Sequence, residues 1–131
     1  MKIRLQDLTK QYRHTTAVNN LNLEITSGEF LVVLGSSGSG KSTTLNMLAG
    51  LEAPTSGYIF FNEHIVNQTP PGKRDIALVF QSYALYPHMK VYDNIAFPLK
   101  IRKEKDIHQK VIETAGMLGL SALLQKYPKE L

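Results

Sequence analysis

Gly35-Ser36-Ser37-Gly38-Ser39-Gly40-Lys41-Ser42-Thr43 sets glycines and a lysine followed by hydroxyl residues in the spacing Gly-x4-Gly-Lys-Ser/Thr, an arrangement suited to holding phosphate. Glycines let the backbone curl with its N–H groups turned inward, and a helix beginning near Ser42 would add its positive dipole end to the same nest. Lys41 would reach the β- and γ-phosphates of a nucleotide. The Ser42 hydroxyl would complete the coordination of a magnesium ion held between those phosphates, and Thr43 would add a phosphate hydrogen bond. The ligand this set selects is a nucleoside triphosphate with magnesium, ATP being the expectation. A glycine-rich turn that merely precedes a Lys-Ser pair is the plainer alternative, and the flanking elements weigh against it.

Those elements follow from hydrophobic patterning. Ile3 and Leu5, then Leu21, Leu23 and Ile25, alternate with polar residues as half-buried strands do. Ser27-Gly28 turns the chain. Phe30-Leu31-Val32-Val33-Leu34 is a continuous run of strand-forming apolar residues, expected as a central strand covered on both faces, and it feeds directly into the glycine-rich loop. After the loop, Leu45, Leu48 and Ala49 predict a short helix over residues 42–51, with Gly50 as its stop. Pro54-Thr55-Ser56-Gly57 reads as a turn, residues 58–61 as a strand, Pro70-Pro71-Gly72 as a loop, and Ile76-Ala77-Leu78-Val79-Phe80 as another buried strand. Further on, Ile107, Val111, Ala115 and Leu118 recur at helical spacing within residues 106–124, and Pro128 follows the fading pattern. An α/β first part thus precedes a helical one, without repeats or low-complexity segments.

Composition narrows the function classes. A chain of 131 residues and 14.7 kDa suits one domain rather than two. No apolar run approaches the roughly 18 residues needed to cross a bilayer, and the first residues lack the apolar segment of a secretory signal, so a cytoplasmic location is expected. With zero cysteines there is no disulfide, thiolate zinc site or cysteine nucleophile. The net charge of +4 could attract nucleic acid, but Lys100, Arg102, Lys103 and Lys105 are interleaved with Glu104 and Asp106, as on a solvated surface, and no nucleic-acid partner is expected. His14, His64, His88 and His108 have no ligand spacing with one another or with acidic pairs, and read as surface or packing residues.

Other residues carry meaning only in combination. Tyr12 by itself reads as a tyrosine packing locally at a strand end. Gln81 could cap a strand or, since its amide orients water without titrating, serve a reaction. Leu85, Tyr86 and Met89 suit either local packing or a protein interface.

Together with the glycine-rich loop, these segments resemble the ATP-binding subunits of ABC transporters over the whole chain, and the wording is closest to importer subunits for maltose, other sugars, glycerol phosphate and polyamines. The resemblance implies a partial P-loop (RecA-like) nucleotide-binding core with an N-terminal antiparallel β part and the start of a helical subdomain. Residues 1–81 would hold the β part and core through the Q-loop, and residues 82–131 the helical start. It makes Tyr12 the aromatic that stacks on adenine. Val79-Phe80-Gln81 resembles the Q-loop, so Gln81 would contact magnesium and the attacking water and couple the site to the membrane subunit. Ser82-Tyr83-Ala84-Leu85-Tyr86-Pro87-His88-Met89 and Val91-Tyr92-Asp93-Asn94-Ile95 resemble the surface that docks a helix of the transmembrane permease. A second ATP-binding subunit would be the other partner, and the assembly would sit on the inner face of the cell membrane.

Tyr127-Pro128-Lys129-Glu130-Leu131 resembles the approach to the family's Leu-Ser-Gly-Gly-Gln signature, with Leu131 as its first residue. The remainder of the signature, the acidic Walker B strand, its glutamate and the switch histidine are not in these residues. Hydrolysis by this chain alone is therefore not expected, and open strand edges around residues 31–34 are. The leading reading is the N-terminal portion of an importer's ATPase subunit. The competing one is a half-domain that binds ATP or a partner without turnover. A small kinase or GTPase fits the loop but not Gln81 and its neighbours.

Overall fold

A computed structural model describes residues 1–82 and 84–131. They divide into two units, Met1–Leu78 and Val79–Leu131.

In the first unit, alternation of apolar and polar residues builds a sheet from β1 (Ile3–Tyr12), β2 (Thr15–Ile25), β3 (Ser56–Phe61) and the short β4 (His64–Ile65), all antiparallel, in the order β2-β1-β3-β4. The register pairs Ile3 with Ile25 and Phe61, and Leu5 with Leu23 and Ile59, so one face collects the apolar side chains. Register shifts flank Leu8 in β1, where Asp7 adopts a positive φ of 50° and exchanges hydrogen bonds with the Asn22 side chain. Helix α1 (Lys41–Ala49) lays Met47 on that face, and Leu5, Leu8, Val18, Met47, Ile59, Phe61 and Val66 form the core. Gly50 ends α1 in the left-handed conformation, which lets the Leu51 amide reach back to the Asn46 carbonyl at 2.9 Å. The predicted stop is therefore where it was expected, but the buried face is Met47 and Ala49; Leu45 is exposed.

Two predicted strands do not form. Residues 30–34 make no ladder, and Phe30 and Leu34 are 91% and 86% exposed. A strand exists only as part of a sheet, because each of its N–H and C=O groups needs a partner across a ladder. Among the described residues no strand lies beside this run. Residues 76–80 likewise form no strand; Ile76 packs on the core, while Val79 is exposed.

The second unit is helical. Helices α2 (Val91–Ile101) and α3 (Ile107–Met117) pack Val91, Ala96, Val111 and Ala115 together with Leu124. α3 is shorter than the predicted segment because Gly119, with φ 69°, reverses the chain and sends the Leu120 amide back to the Ala115 carbonyl. Leu118 is exposed as a result. Ahead of α2, one side chain organises the turn. Asn94 Oδ1 accepts from the Tyr86 amide at 2.8 Å, and Nδ2 donates to the main-chain carbonyls of Tyr86, Met89 and Lys90, each at 3.1 Å. The Tyr86 ring then rests 4.8 Å from that of Phe97. Asn94→Ala is expected to lower the unfolding free energy by about 1–2 kcal/mol in a urea titration, since several main-chain groups lose their partner at once. An unchanged midpoint would mean that water replaces the amide at no cost.

Candidate functional site

The glycine-rich loop joins residue 34 to the first turn of α1, and each glycine has its own reason to be there. Gly38 and Gly40 hold φ of 80° and 88°, the left-handed region that side chains avoid. At Gly40 a Cβ would also collide with the Ala17 carbonyl of β2, so the loop lies directly against the sheet edge. At Gly35 a Cβ would stand 2.5 Å from Ser39 Oγ and fill the interior of the loop. A turn from Ser36 to Ser39, closed at 3.2 Å, completes the curl.

Lys41, the first residue of α1, folds back over this curl. Its ammonium donates to the carbonyls of Gly35 at 2.8 Å and Ser36 at 2.6 Å, and to Ser39 Oγ at 3.2 Å. Ser42 and Thr43 follow in the first helical turn, where amides have no partner within the helix. The result is a hollow of about 120 Å³ lined by Gly38, Ser39, Gly40, Lys41, Ser42 and Thr43. A cation, free helix-end amides and three hydroxyl groups converge there, a set that suits an oxyanion with several charged oxygens. A wider hollow of about 310 Å³ continues from Gly40, Lys41 and Thr44 along Ala17, Val18 and Asn19 to Leu34.

Tyr12 ends β1 and pairs with Thr15 across the hairpin, on the strand that carries Ala17 to the loop. Tyr12 is 42% exposed, and the Lys10 ammonium stands 4.9 Å from the ring centre. Lys10 is held there by Glu52 at 2.5 Å and the Ala53 carbonyl at 2.7 Å. Gln81 belongs to the second unit, exposed in a bend, and Tyr83 lies outside the described residues. All four histidines are exposed. Among the described residues no group of three or more His, Cys, Asp or Glu could hold a metal ion, and no helix is long and apolar enough to cross a membrane. Arg74 is the residue that sequence reading passes over: it is buried at 4% exposure beneath the C-terminus of α1.

A glycine-curled loop opening a helix that packs on a sheet defines a phosphate-loop protein. Residues 18–131 match the ABC transporter family, and the chain belongs to that family. It is 53% identical over 137 residues to the trehalose/maltose import ATP-binding protein MalK of Thermococcus litoralis, covering 98% of this chain and 37% of that protein. It is 47% identical to the sn-glycerol-3-phosphate import ATP-binding protein UgpC of Ralstonia nicotianae, covering 99% of this chain and 36% of the relative. The chain thus spans little more than a third of the length of these curated relatives. Among solved structures, a dimeric post-hydrolysis state of an ATP-binding cassette bound to ADP and Pi superposes with a TM-score of 0.87 at 29% identity, over 98% of this chain and 62% of that one. The α/β class with an antiparallel sheet and a P-loop helix is that of the ATP-binding cassette.

Proposed function

We propose that this chain is the N-terminal part of an importer's ATP-binding subunit and binds Mg-ATP through residues 35–43. The observation that carries the reading is the Lys41 ammonium lodged in a glycine curl at the start of α1, where phosphate oxygens would replace the loop carbonyls as its partners. The relatives, named as import ATP-binding proteins for sugars and glycerol phosphate, support the same class. Lys41 takes the β- and γ-phosphates, the loop amides and Thr43 the surrounding oxygens, and Tyr12 the adenine. Magnesium, held by the Ser42 hydroxyl with Gln81, would neutralise phosphate charge. Gln81 also orients water and couples the site to a transmembrane permease, which docks on residues 82–95. A second ATP-binding subunit completes the assembly on the cytoplasmic face of the membrane. The domain division at residue 81 belongs to the same reading.

Calorimetric titration of the chain with Mg-ATP tests it: saturable one-to-one binding, competed by ADP, is the expected result, and no saturable heat overturns it. Tyr12→Ala separates base from phosphate recognition. Loss of one stacking aromatic is expected to weaken ATP by about 1 kcal/mol while leaving pyrophosphate affinity unchanged. Equal loss for both ligands would show that Tyr12 acts by holding the hairpin rather than the base.

A further inference from the structure

Arg74 is buried, and the phosphate-binding pattern makes no use of it. A guanidinium taken out of water must recover its hydrogen bonds within the protein. Arg74 recovers them from main-chain carbonyls. Nη1 donates to Met47 and Leu48, both at 2.8 Å, Nε donates to Thr69 at 2.8 Å, and Nη2 reaches Asn67 at 3.5 Å. Met47 and Leu48 lie in the last turn of α1, where the negative end of the helix dipole is concentrated; the Met47 carbonyl also accepts from the Gly50 amide at 3.1 Å. One fixed cation therefore takes two acceptors at the end of the helix whose other end opens the phosphate loop.

The remainder of the tether runs to the sheet. The Asn67 side chain accepts from the Ile59 amide of β3 at 2.8 Å and donates to the Gly57 carbonyl at 3.0 Å. Gly50 completes the fit, because a Cβ there would stand 2.6 Å from Arg74 Nε. Its left-handed turn and its missing side chain serve the same arrangement. Burial pushes the guanidinium pKa down from its usual value, as desolvation of a cation must. The planar fork matters here, since its donors are fixed in direction and a lysine ammonium offers no such fork.

We propose that Arg74 is a positioning residue for the nucleotide: it sets the position of α1 along and about its axis, and so holds the Lys41 end of the helix in phosphate-binding geometry. The inference rests on residues 35–43 being the nucleotide site. An anion at one end of α1 and a cation at the other also stabilise the helix dipole in the same sense, so the two ends favour each other.

The test compares the full chain with Arg74→Met and Arg74→Lys. Calorimetry gives the Kd for Mg-ATP and for pyrophosphate per folded molecule, thermal unfolding gives stability, and amide resonances of Gly38, Gly40 and Lys41 report loop geometry without ligand. Arg74→Met is expected to raise Kd for both ligands about tenfold and to move the three resonances. Arg74→Lys, which keeps charge but loses the fork, should fall between. A lowered melting temperature with unchanged Kd and unmoved resonances would leave Arg74 a purely structural residue and overturn the proposal. Should Arg74→Met fail to fold, Arg74→Lys decides on the same readouts. Absence of binding by the unsubstituted chain overturns the nucleotide reading and this inference with it, whereas binding that is indifferent to Arg74 overturns the inference alone.

Discussion

Replacing Lys41 with alanine is expected to weaken Mg-ATP binding by about 1.5–3 kcal/mol, on the order of ten- to a hundredfold, without moving the unfolding midpoint. The two halves of this result have different causes. Affinity falls because the ammonium is the charged side chain inside the loop, and the hydrogen bonds it now gives to Gly35, Ser36 and Ser39 are those it would redirect to phosphate oxygens. Stability holds because Gly35, Ser36 and Ser39 are exposed, so water takes over the freed acceptors and no buried group is orphaned. Calorimetry beside urea unfolding checks both halves. An unchanged affinity would remove residues 35–43 as the nucleotide site. A large loss of stability would mean that the lysine is a structural strut whose effect on binding is indirect.

The backbone course of the loop was legible because its geometry is local. Positive-φ glycines, a lysine at the helix start and a glycine at the helix end are dictated within a few residues, and they stand where the spacing put them. Features that depend on distant partners were not legible. The run at residues 30–34 has every propensity of a central strand, but propensity supplies no ladder, and the run stays open. The α3 segment read as too long because Leu120, Leu123 and Leu124 continue the apolar signal past Gly119, whose left-handed turn ends the helix. Arg74 left no trace at all: between Lys73 and Asp75, just after Pro-Pro-Gly, it has the look of a solvated loop charge. Its burial follows from the carbonyls of α1, twenty-odd residues earlier, and no periodicity encodes that meeting. For Gln81 the residue type alone left strand cap and water-orienting amide both open, and the side chain stands in an exposed bend of the second unit.

Leu8→Ala is expected to lower the unfolding free energy of the first unit by about 3–5 kcal/mol, the cost of a cavity in a core that cannot close around it. Leu8 is 0% exposed in β1 and belongs to the cluster with Leu5, Val18, Met47 and Ile59. Against a typical domain stability of about 5–15 kcal/mol, that loss leaves little margin. Leu34→Ser is the informative contrast. At 86% exposure, Leu34 buries almost nothing, so its replacement should shift the urea midpoint by no more than about 0.5 kcal/mol. The pair of measurements then discriminates between two states of the chain in solution. A large effect at position 8 and none at 34 is what the sheet and its single covered face require. Comparable effects at both would mean that the run from 30 to 34 is covered in solution, and cover by another molecule is the case that protein concentration detects. In that case the Leu34→Ser effect should grow with protein concentration, because stability drawn from association follows mass action, whereas the Leu8→Ala cavity costs the same at every concentration.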